Sequence, residues 1–333
     1  MSSDNPVCPS CGKKLSYGAL RCDVCKTAIN PKVAGTRLSD KELSEKLMAI
    51  NKKQMFFFTI GFILLGLSFL FLALPNEKEM LKMLLFFLLF LAGILVLIAS
   101  AFQRMKIKKL FALNTIQGVL NEVLELHEYT DTKHIDAKII AATQLLPDWN
   151  ICNGNDYVSG IYRGLKLAFS DIQLHYYNKN DSDDNQTLSF KGQWISCGLE
   201  KESGIHMLIR ERSKMKLKRK LEKTRYELMT GNAAFDERFQ VISADPDLAL
   251  RFLTPHIMGH IVAVATAANA RIYLYIGGMW LHVAVNSKKE LFEVGKSAEL
   301  ADIQQLRARL KSELRYVTGI VDELLKIEYL FGR

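Results

Sequence analysis

The chain has 333 residues, of which 49% are hydrophobic and 24% are charged, and its formal net charge is +9. This balance excludes an intrinsically disordered chain and a protein buried wholly in a membrane, and the length allows about two domains. The first residues are polar and have no apolar core, so no secretory signal peptide is expected.

Four cysteines near the start of the chain form two Cys-x-x-Cys pairs. Cys8 and Cys11 are followed, after a spacer of ten residues, by Cys22 and Cys25. This spacing is typical of a zinc ribbon, in which four thiolates close a tetrahedron around Zn²⁺. Because the thiolates fill all four positions, the predicted zinc is structural rather than catalytic. Reduced thiolates favour the cytoplasm, and a metal-free, disulfide-bonded segment is the alternative.

Two uncharged apolar segments follow at residues 55–74 and 83–102. Each is long enough, as an α-helix, to cross a hydrocarbon layer of about 30 Å. The sequence PNEKEMLK between them (75–82) has no positive bias and predicts a tight hairpin. The outer flanks are basic, so the positive-inside rule places both termini in the cytoplasm. These flanking cations are Lys46, Lys52, Lys53, Arg104, Lys106, Lys108 and Lys109.

The remainder predicts an α+β fold with an antiparallel sheet. Apolar residues at spacings of three and four predict a helix from 104 to about 128 and an amphipathic helix over 298–330. Segments rich in β-branched and aromatic residues between 157 and 209 predict strands, with NKNDSDDNQT as a solvated hairpin loop.

A second group of elements is predicted after the strands. FQVIS (239–243) predicts a strand, and Asp245–Pro246 predicts the start of a helix kinked near Pro255. RIYLYIGGMWLHVAV (271–285) predicts two strands that turn at Gly277–Gly278. The predicted domains are a zinc ribbon (1–30), a linker with a short helix (31–54), a transmembrane hairpin (55–102), a juxtamembrane helix (103–128) and a cytoplasmic α+β domain (129–333).

The most basic segment lies between residues 210 and 225. It holds nine Lys or Arg residues against two acidic ones, a net charge of +7. A solvated face or loop is one interpretation, and contact with anionic lipid headgroups is the functional one. Nucleic acid is a third, although aromatic residues are not interleaved with the charges. The basic residues are Arg210, Arg212, Lys214, Lys216, Lys218, Arg219, Lys220, Lys223 and Arg225.

Sequence motifs for catalysis are weak. His256 and His260 are four residues apart, which places them on one helix face, but the glutamate of a zinc-protease motif is missing. A structural histidine pair is the simplest interpretation, and a second metal site with His282 or His206 is the alternative. The isolated Cys152 and Cys197 have no local basic partner, which favours inert thiols.

Several segments resemble an uncharacterised bacterial family, domain of unknown function three-one-three-seven. The resemblance lies in FKGQWI, FDERFQVISADPDLALRFLTPHIM, RIYLYIGGMWLHVAV and LFE, and it covers roughly residues 105–325. It implies two membrane helices followed by a cytoplasmic body in the bacterial inner membrane, and a LemA-like membrane protein as a partner. The family carries no agreed activity, so it implies no catalytic residue.

These observations predict a multi-pass, membrane-anchored protein that acts as a non-enzymatic adaptor or sensor at the cytoplasmic face of the bacterial inner membrane. The chain has a predicted membrane anchor and a predicted zinc ribbon suited to binding, but it shows no recognised sequence motif for catalysis. Its expected partners are membrane lipids and another protein, and a homo-oligomer is compatible with the apolar stripe after the second span. The alternatives are a membrane-tethered nucleic-acid binder and an enzyme that uses the His256/His260 face.

Overall fold

The computed structural model describes residues 40–73, 79–177, 186–212, 226–293 and 299–331. The chain divides into two compact units, one formed by residues 1–118 with 294–308 and the other by 119–293 with 309–333. The predicted zinc ribbon (1–30) and residues 31–39 of the linker after it lie outside the described residues.

The first unit is built on two long apolar helices. Helix α1 (Asp40–Ala73) and helix α2 (Glu79–Phe111) are both long and apolar enough to cross a membrane. The short helix predicted before residue 54 is not separate, because α1 runs without a break from Asp40 into the apolar segment. A π-helical turn (Ala112–Ile116) and helix α3 (Gln117–Val123) continue α2.

The two apolar helices contact each other through small residues. A Cβ atom placed on Gly93 would lie 3.2 Å from the carbonyl oxygen of Gly61 and 2.9 Å from the Leu65 side chain. The Ser100 hydroxyl donates a hydrogen bond of 3.1 Å to the carbonyl oxygen of Gln54 on the other helix. Small residues allow membrane helices to approach closely, and hydroxyl groups add hydrogen bonds between them.

The start of α1 packs on a short segment from the C-terminal part of the chain. Leu43 and Leu47 are fully buried, and the Ser44 hydroxyl donates to the carbonyl oxygen of Ala301 at 3.0 Å. Ala301 ends a 3₁₀ turn (Glu299–Ala301). This end of α1 therefore packs as a helix of a soluble domain would.

The second unit contains a nine-stranded sheet in the described residues, and the strand pairs within it are antiparallel. The strand order is β1-β2-β3-β4-β9-β8-β5-β7-β6. The predicted α+β class with an antiparallel sheet is confirmed. The strands are β1 (Glu125–Thr130), β2 (Ile151–Tyr162), β3 (Leu165–Tyr177), β4 (Gln186–Gly198), β5 (Met207–Glu211), β6 (Tyr226–Leu228), β7 (Phe239–Ser243), β8 (Arg271–Gly277) and β9 (Trp280–Asn286).

The helices of this unit lie between and after the strands. They are α4 (Ala137–Thr143), α5 (Ala233–Arg238), α6 (Pro246–Phe252), α7 (Pro255–Ala268), α8 (Ile303–Leu325), whose first turns belong to the other unit, and α9 (Glu328–Phe331). The predicted strand at 239–243 and the turn at Gly277–Gly278 are confirmed. The predicted loop NKNDSDDNQT falls largely outside the described residues, but β3 and β4 pair up to Tyr177 and Gln186 on either side of it.

Two predicted helices differ from the structure in their ends, and a third is kinked where the sequence predicts. The helix predicted through residue 128 ends at Val123, because residues 125–130 pair with β2. The helix predicted to begin at Asp245–Pro246 and to kink near Pro255 is confirmed, with Asp245 as the N-cap of α6. The kink is a bend of 77° between α6 and α7, where Thr254 caps the new helix at Pro255. The amphipathic helix predicted over 298–330 is shorter, with α8 ending at Leu325 and α9 following it.

One face of the sheet is covered by α4 and the residues around it. Ile140, Leu145 and Leu146 pack there against Phe190 and Trp194 of β4 in a continuous apolar cluster. Burial of this apolar area is the main source of stability for the arrangement. The edge of this cover leaves part of the sheet surface accessible, and the site described next lies there.

Candidate functional site: an aromatic pocket beside α4

A serine and a histidine from neighbouring strands meet in this pocket. Ser196 of β4 is directly opposite His282 of β9 in the ladder, and the Ser196 Oγ atom lies 2.8 Å from His282 Nδ1. The indole N–H of Trp194, two residues earlier on the same strand, donates to Ser196 Oγ at 3.1 Å. Residues two apart on a strand share a face, so the sheet register alone assembles this chain of hydrogen bonds.

The pocket has a volume of about 540 Å³. This size falls in the range of sites that hold a small molecule or a large side chain. The residues that line it are Glu128, Lys133, His134, Ile135, Asp136, Ile139, Tyr157, Ala168, Ser196, Trp280 and His282.

Aromatic rings surround the imidazole of His282. The Trp280 ring is nearly parallel to it, at an angle of 15° and a centroid distance of 6.2 Å. Tyr275 lies on a neighbouring strand with its ring centroid 6.0 Å from that of His282. An imidazole in such surroundings presents a polar edge inside an otherwise apolar wall, which is the usual composition of a ligand pocket.

Burial keeps His282 uncharged. It lowers the pKa of His282 to about 4, because the charged form loses its hydration. The imidazole is therefore neutral at pH 7 and can both donate and accept a hydrogen bond. When Ser196 donates to Nδ1, the ring proton lies on Nε2.

The rim of the pocket carries polar groups that the fold holds in place. Lys133 Nζ lies 3.1 Å from a Glu128 carboxylate oxygen. His134 Nδ1 lies 2.7 Å from the carbonyl oxygen of Ile135, so Nδ1 carries the proton and Nε2 can accept. Asp136 caps α4 by accepting from the backbone N–H of Lys138 at 2.8 Å.

The surroundings of Ser196 differ from those of a serine nucleophile in an acyl-transfer site. β4 is paired on both sides, with β3 and with β9, so the backbone around Ser196 belongs to the sheet ladder. A serine nucleophile needs N–H donors directed at the developing oxyanion, usually including its own backbone or that of a neighbour. Its hydroxyl also accepts from Trp194, which fixes it in place.

A second buried polar group lies on the opposite face of the sheet. The Asp171 carboxylate accepts from Gln193 Nε2 at 2.9 Å and from the backbone N–H of Leu291 at 2.5 Å. Burial raises the pKa of Asp171 to about 8, although the hydrogen bonds from Gln193 and Leu291 lower it; the charges of Asp156 and Glu290 add to the increase. Asp171 thus holds a proton at neutral pH in the folded protein.

Two more buried polar residues, Asp156 and Tyr129, lie near Asp171. The Tyr129 hydroxyl donates to Asp156 at 2.7 Å, and burial together with this carboxylate raises the pKa of Tyr129 well above its usual value. Asp156 also accepts from Asn155 Nδ2 at 2.6 Å. These contacts join β1 to an irregular part of β2, so they serve the fold rather than the pocket.

The basic residues predicted to contact anions are only partly described. The Arg210 guanidinium donates to the carbonyl oxygens of Gln144 and Leu145. Arg212 donates to the carbonyl oxygen of Asp236 and pairs with Glu227 at 2.9 Å. Both side chains therefore hold the body together. The other seven, Lys214, Lys216, Lys218, Arg219, Lys220, Lys223 and Arg225, lie outside the described residues, as do the predicted zinc ligands Cys8, Cys11, Cys22 and Cys25.

The predicted histidine pair is brought together. His256 Nε2 and His260 Nε2 lie 3.1 Å apart on the exposed side of α7. His206 is elsewhere, with Nδ1 3.4 Å from the Tyr275 hydroxyl, and His282 is buried in the aromatic pocket. Among the described residues, no group of three or more His, Cys, Asp or Glu side chains could hold a metal ion.

The two isolated cysteines have the character of unreactive thiols. Burial raises the pKa of Cys152 to about 11 and that of Cys197 to about 12. A thiol is nucleophilic only as the thiolate, so these groups are inert at neutral pH. Neither cysteine lines the aromatic pocket.

Sequence reasoning did not identify Ser196, Trp194 or Trp280 as site residues. A signal was present in the two strands, where Trp194 precedes Ser196 by two positions and Trp280 precedes His282 by two. Such a polar residue on the same strand face as a tryptophan predicts a hydrogen-bonding group in apolar surroundings. Ser196 and His282 are 86 residues apart in the sequence, so a local pattern could not predict that they form a pair.

Comparison with known proteins gives a family match over part of the chain. Residues 188–326 match the model of a family described as "Protein of unknown function (DUF3137)". This supports the predicted relation to an uncharacterised family, and the matched region includes Ser196, Trp280 and His282. No curated protein matches the chain.

One solved structure with overall similarity is the crystal structure of the mycobacterial trehalose monomycolate transport factor A, TtfA. Its sequence identity to this chain is 12%, and the TM-score is 0.33. The alignment covers 60% of this chain and 92% of the other. Similarity at this level carries no conclusion about function.

Proposed function

We propose that this protein is a membrane-anchored, non-enzymatic adaptor whose body binds a ligand or partner in the aromatic pocket beside α4. The observation that carries the proposal is the pocket itself. It combines a volume of about 540 Å³ with a neutral imidazole and a fixed hydroxyl in aromatic surroundings. Two long apolar helices supply the anchor.

The chemistry of the pocket defines its occupant. Ile135, Ile139 and Trp280 offer apolar contact, whereas the Ser196–His282 pair offers one hydrogen-bonding point inside. A charged group beside the Ser196–His282 pair would lose hydration without an ionic partner, because His282 is neutral at pH 7 and the charged residues Glu128, Lys133 and Asp136 lie at the rim. The pocket therefore fits an uncharged group with an apolar body and one polar atom, such as an aromatic side chain of a partner protein.

The proposed arrangement in the cell places both termini in the cytoplasm of a bacterium. The basic flanks of the two apolar helices support this orientation through the positive-inside rule. The Lys and Arg residues between 214 and 225 would then be on the side of the membrane whose anionic lipids attract basic residues. The resemblance described above implies a LemA-like membrane protein as the first partner to test.

Photocrosslinking in the native membrane tests the pocket. A photoreactive phenylalanine at position 139, in the pocket wall, should capture a discrete product. The same group at Leu250, a similarly exposed position on α6, should not. Trp280→Ala should abolish the product, whereas the matched change Met279→Ala, which alters the neighbouring exposed residue outside the pocket, should leave it. Equal products from positions 139 and 250, or a product indifferent to Trp280→Ala, would refute the pocket as the binding site.

Metal analysis tests the proposed zinc ribbon separately. The full chain should contain one Zn²⁺ ion that resists dialysis, because four thiolates satisfy its tetrahedral coordination. Replacement of any one of Cys8, Cys11, Cys22 and Cys25 with Ser should release it. The matched control is Cys152→Ser, which changes a thiol of the body. Zinc retained after loss of an N-terminal thiol would contradict the ribbon.

Thiol labelling in intact cells tests the proposed orientation. A reagent that does not cross the membrane should leave the N-terminal cysteines unmodified until the cells are opened. A cysteine introduced at Asn76, between the two apolar helices, should react in intact cells. Labelling of the N-terminal thiols before lysis would reverse the orientation without affecting the pocket proposal.

A further inference from the structure

Two imidazoles converge on the solvent side of α7, away from the aromatic pocket. The helix begins at Pro255, where Thr254 is the N-cap and accepts from the backbone N–H of Ile257. Its apolar side is buried, and His256 and His260 lie one turn apart on the opposite side. Residues four apart on a helix are neighbours, so the spacing brings the rings together.

The Nε2 atoms of the two rings are 3.1 Å apart. Zinc–imidazole bonds are about 2.0–2.1 Å long, so two nitrogen ligands at angles between 90° and the tetrahedral value are roughly 2.9–3.4 Å apart. The observed separation falls within this interval. The two Nε2 atoms are in hydrogen-bond contact, and replacement of the shared proton by a metal ion would leave them at a separation that one metal ion can span.

The surroundings leave the pair accessible. His256 is exposed, and a Cβ atom on Gly259, between the two histidines, would have no atom within 4 Å. An adjoining pocket of about 520 Å³ is lined by His256 together with Arg251, Lys326 and Glu328. A ligand or a partner side chain can thus reach the same point.

The ligand set selects the type of ion. Imidazole nitrogen suits Zn²⁺, Ni²⁺ and Cu²⁺, whereas Mg²⁺ and Ca²⁺ require several oxygen ligands. No third His, Cys, Asp or Glu completes the group in the part of the chain that the structure describes. Two protein ligands leave further coordination positions for water or for a donor atom of another molecule.

We infer that His256 and His260 form an open two-imidazole chelate for a divalent cation of the Zn²⁺, Ni²⁺ and Cu²⁺ group. The inference is independent of the aromatic pocket, because it uses a different helix and no residue that lines that pocket. Affinity should be highest for Cu²⁺, with Ni²⁺ and Zn²⁺ below it.

Calorimetric titration with Ni²⁺ tests the chelate in the full-length protein. Cys8, Cys11, Cys22 and Cys25 are all replaced with Ser, so that thiolates cannot contribute. We expect one Ni²⁺ ion to bind per chain, with affinity reduced at least tenfold in either His256→Asn or His260→Asn. The matched control is His127→Asn, which removes an exposed histidine on β1 and should leave the affinity unchanged.

A second measurement avoids the cysteine replacements. Ni²⁺ should protect His256 and His260, but not His127, from carbethoxylation in the unmodified chain, as read by mass spectrometry of the peptides. Selective protection supports the chelate even where the cysteine-free chain fails to fold. Equal modification of all three histidines with and without about 1 mM Ni²⁺, a concentration that detects even weak binding, would overturn the inference.

Discussion

Two buried groups on opposite faces of the sheet give the body a specific dependence of stability on pH. Burial raises the pKa of Asp171 from 3.8 to about 8 and lowers the pKa of His282 from 6.5 to about 4. Both groups are uncharged in the folded protein across the range between these values. Their effects on the free energy of unfolding are opposite in sign.

Asp171 lowers the stability as the pH rises. Between pH 3.8 and 8 the folded protein holds a proton on Asp171 that the unfolded chain has released, so each pH unit costs about 1.4 kcal/mol. The stabilisation from Asp171 is fully present below pH 3.8, its pKa in the unfolded chain. It is lost as the pH rises through about 8, its pKa in the folded protein.

His282 acts in the other direction. Between pH 6.5 and 4 the unfolded chain binds a proton that the folded protein excludes, so stability falls by about 1.4 kcal/mol per unit as the pH is lowered. The two slopes oppose each other between pH 4 and 6.5 and leave a plateau. Above pH 6.5 only Asp171 acts, and we expect a loss of about 1–2 kcal/mol by pH 8.

Thermal unfolding of the detergent-solubilised chain between pH 4 and 8 checks this expectation. A loss of that size corresponds to a decrease in Tm of roughly 3–6 °C in a domain of this length. Asp171→Asn should remove the decrease above pH 6.5 and reveal a rise from pH 4 to 6.5. His282→Gln should reveal a continuous decrease from pH 4 to 8. A wild-type protein whose Tm rises between pH 6.5 and 8 would refute the reasoning, whatever the absolute stabilities of the variants.

Two glycine substitutions test the packing of the two units. Gly93→Val should lower the stability of the apolar helix pair by about 1–3 kcal/mol, because its Cβ atom would lie 2.9 Å from the Leu65 side chain. The measurement is Tm in lipid nanodiscs. The control Gly66→Val, where no atom lies within 4 Å of the added Cβ atom, should have little effect on this Tm. Gly192→Ala should cost about 3 kcal/mol or more, since its Cβ atom would lie 2.0 Å from a backbone oxygen of β9. Gly259→Ala on α7, where the added Cβ atom meets open space, should instead stabilise the body by about 0.5–1 kcal/mol in the same melting assay. Equal effects of Gly192→Ala and Gly259→Ala would contradict the structure.

The sequence predicted those elements whose patterns are local. The uncharged segments predict the two long apolar helices, and the compositions of FQVIS and RIYLYIGGMWLHVAV predict β7, β8 and β9. A glycine pair between two strands also predicted their turn. In each case the residues that decide the structure are adjacent in the sequence or one helical turn apart.

The helix predicted to residue 128 shows where this reasoning fails. The apolar stripe that predicts this helix ends at Val123, and the residues after it, 125–130, pair with β2 in a ladder from Ile161 to Tyr157. Burial of Tyr129 against Asp156 stabilises the strand, and Asp156 is distant in the sequence. The helical pattern that precedes these residues is overridden by a tertiary contact between residues that are distant in the sequence.

The aromatic pocket depends on register in the same way, and this dependence is an argument for its function. Trp194 and Ser196 are two residues apart on β4 and lie on one face of the sheet, as do Trp280 and His282 on β9. Each strand alone therefore has an ordinary pattern. Only the pairing of Ser196 with His282 turns two polar residues into a satisfied pair on an otherwise apolar face. Leucine or valine at both positions would fill that face without any need for pairing, because apolar replacements of a buried polar pair can be neutral or stabilising. A hydroxyl and a neutral imidazole that border an open pocket are therefore better explained by what enters the pocket than by the stability of the sheet.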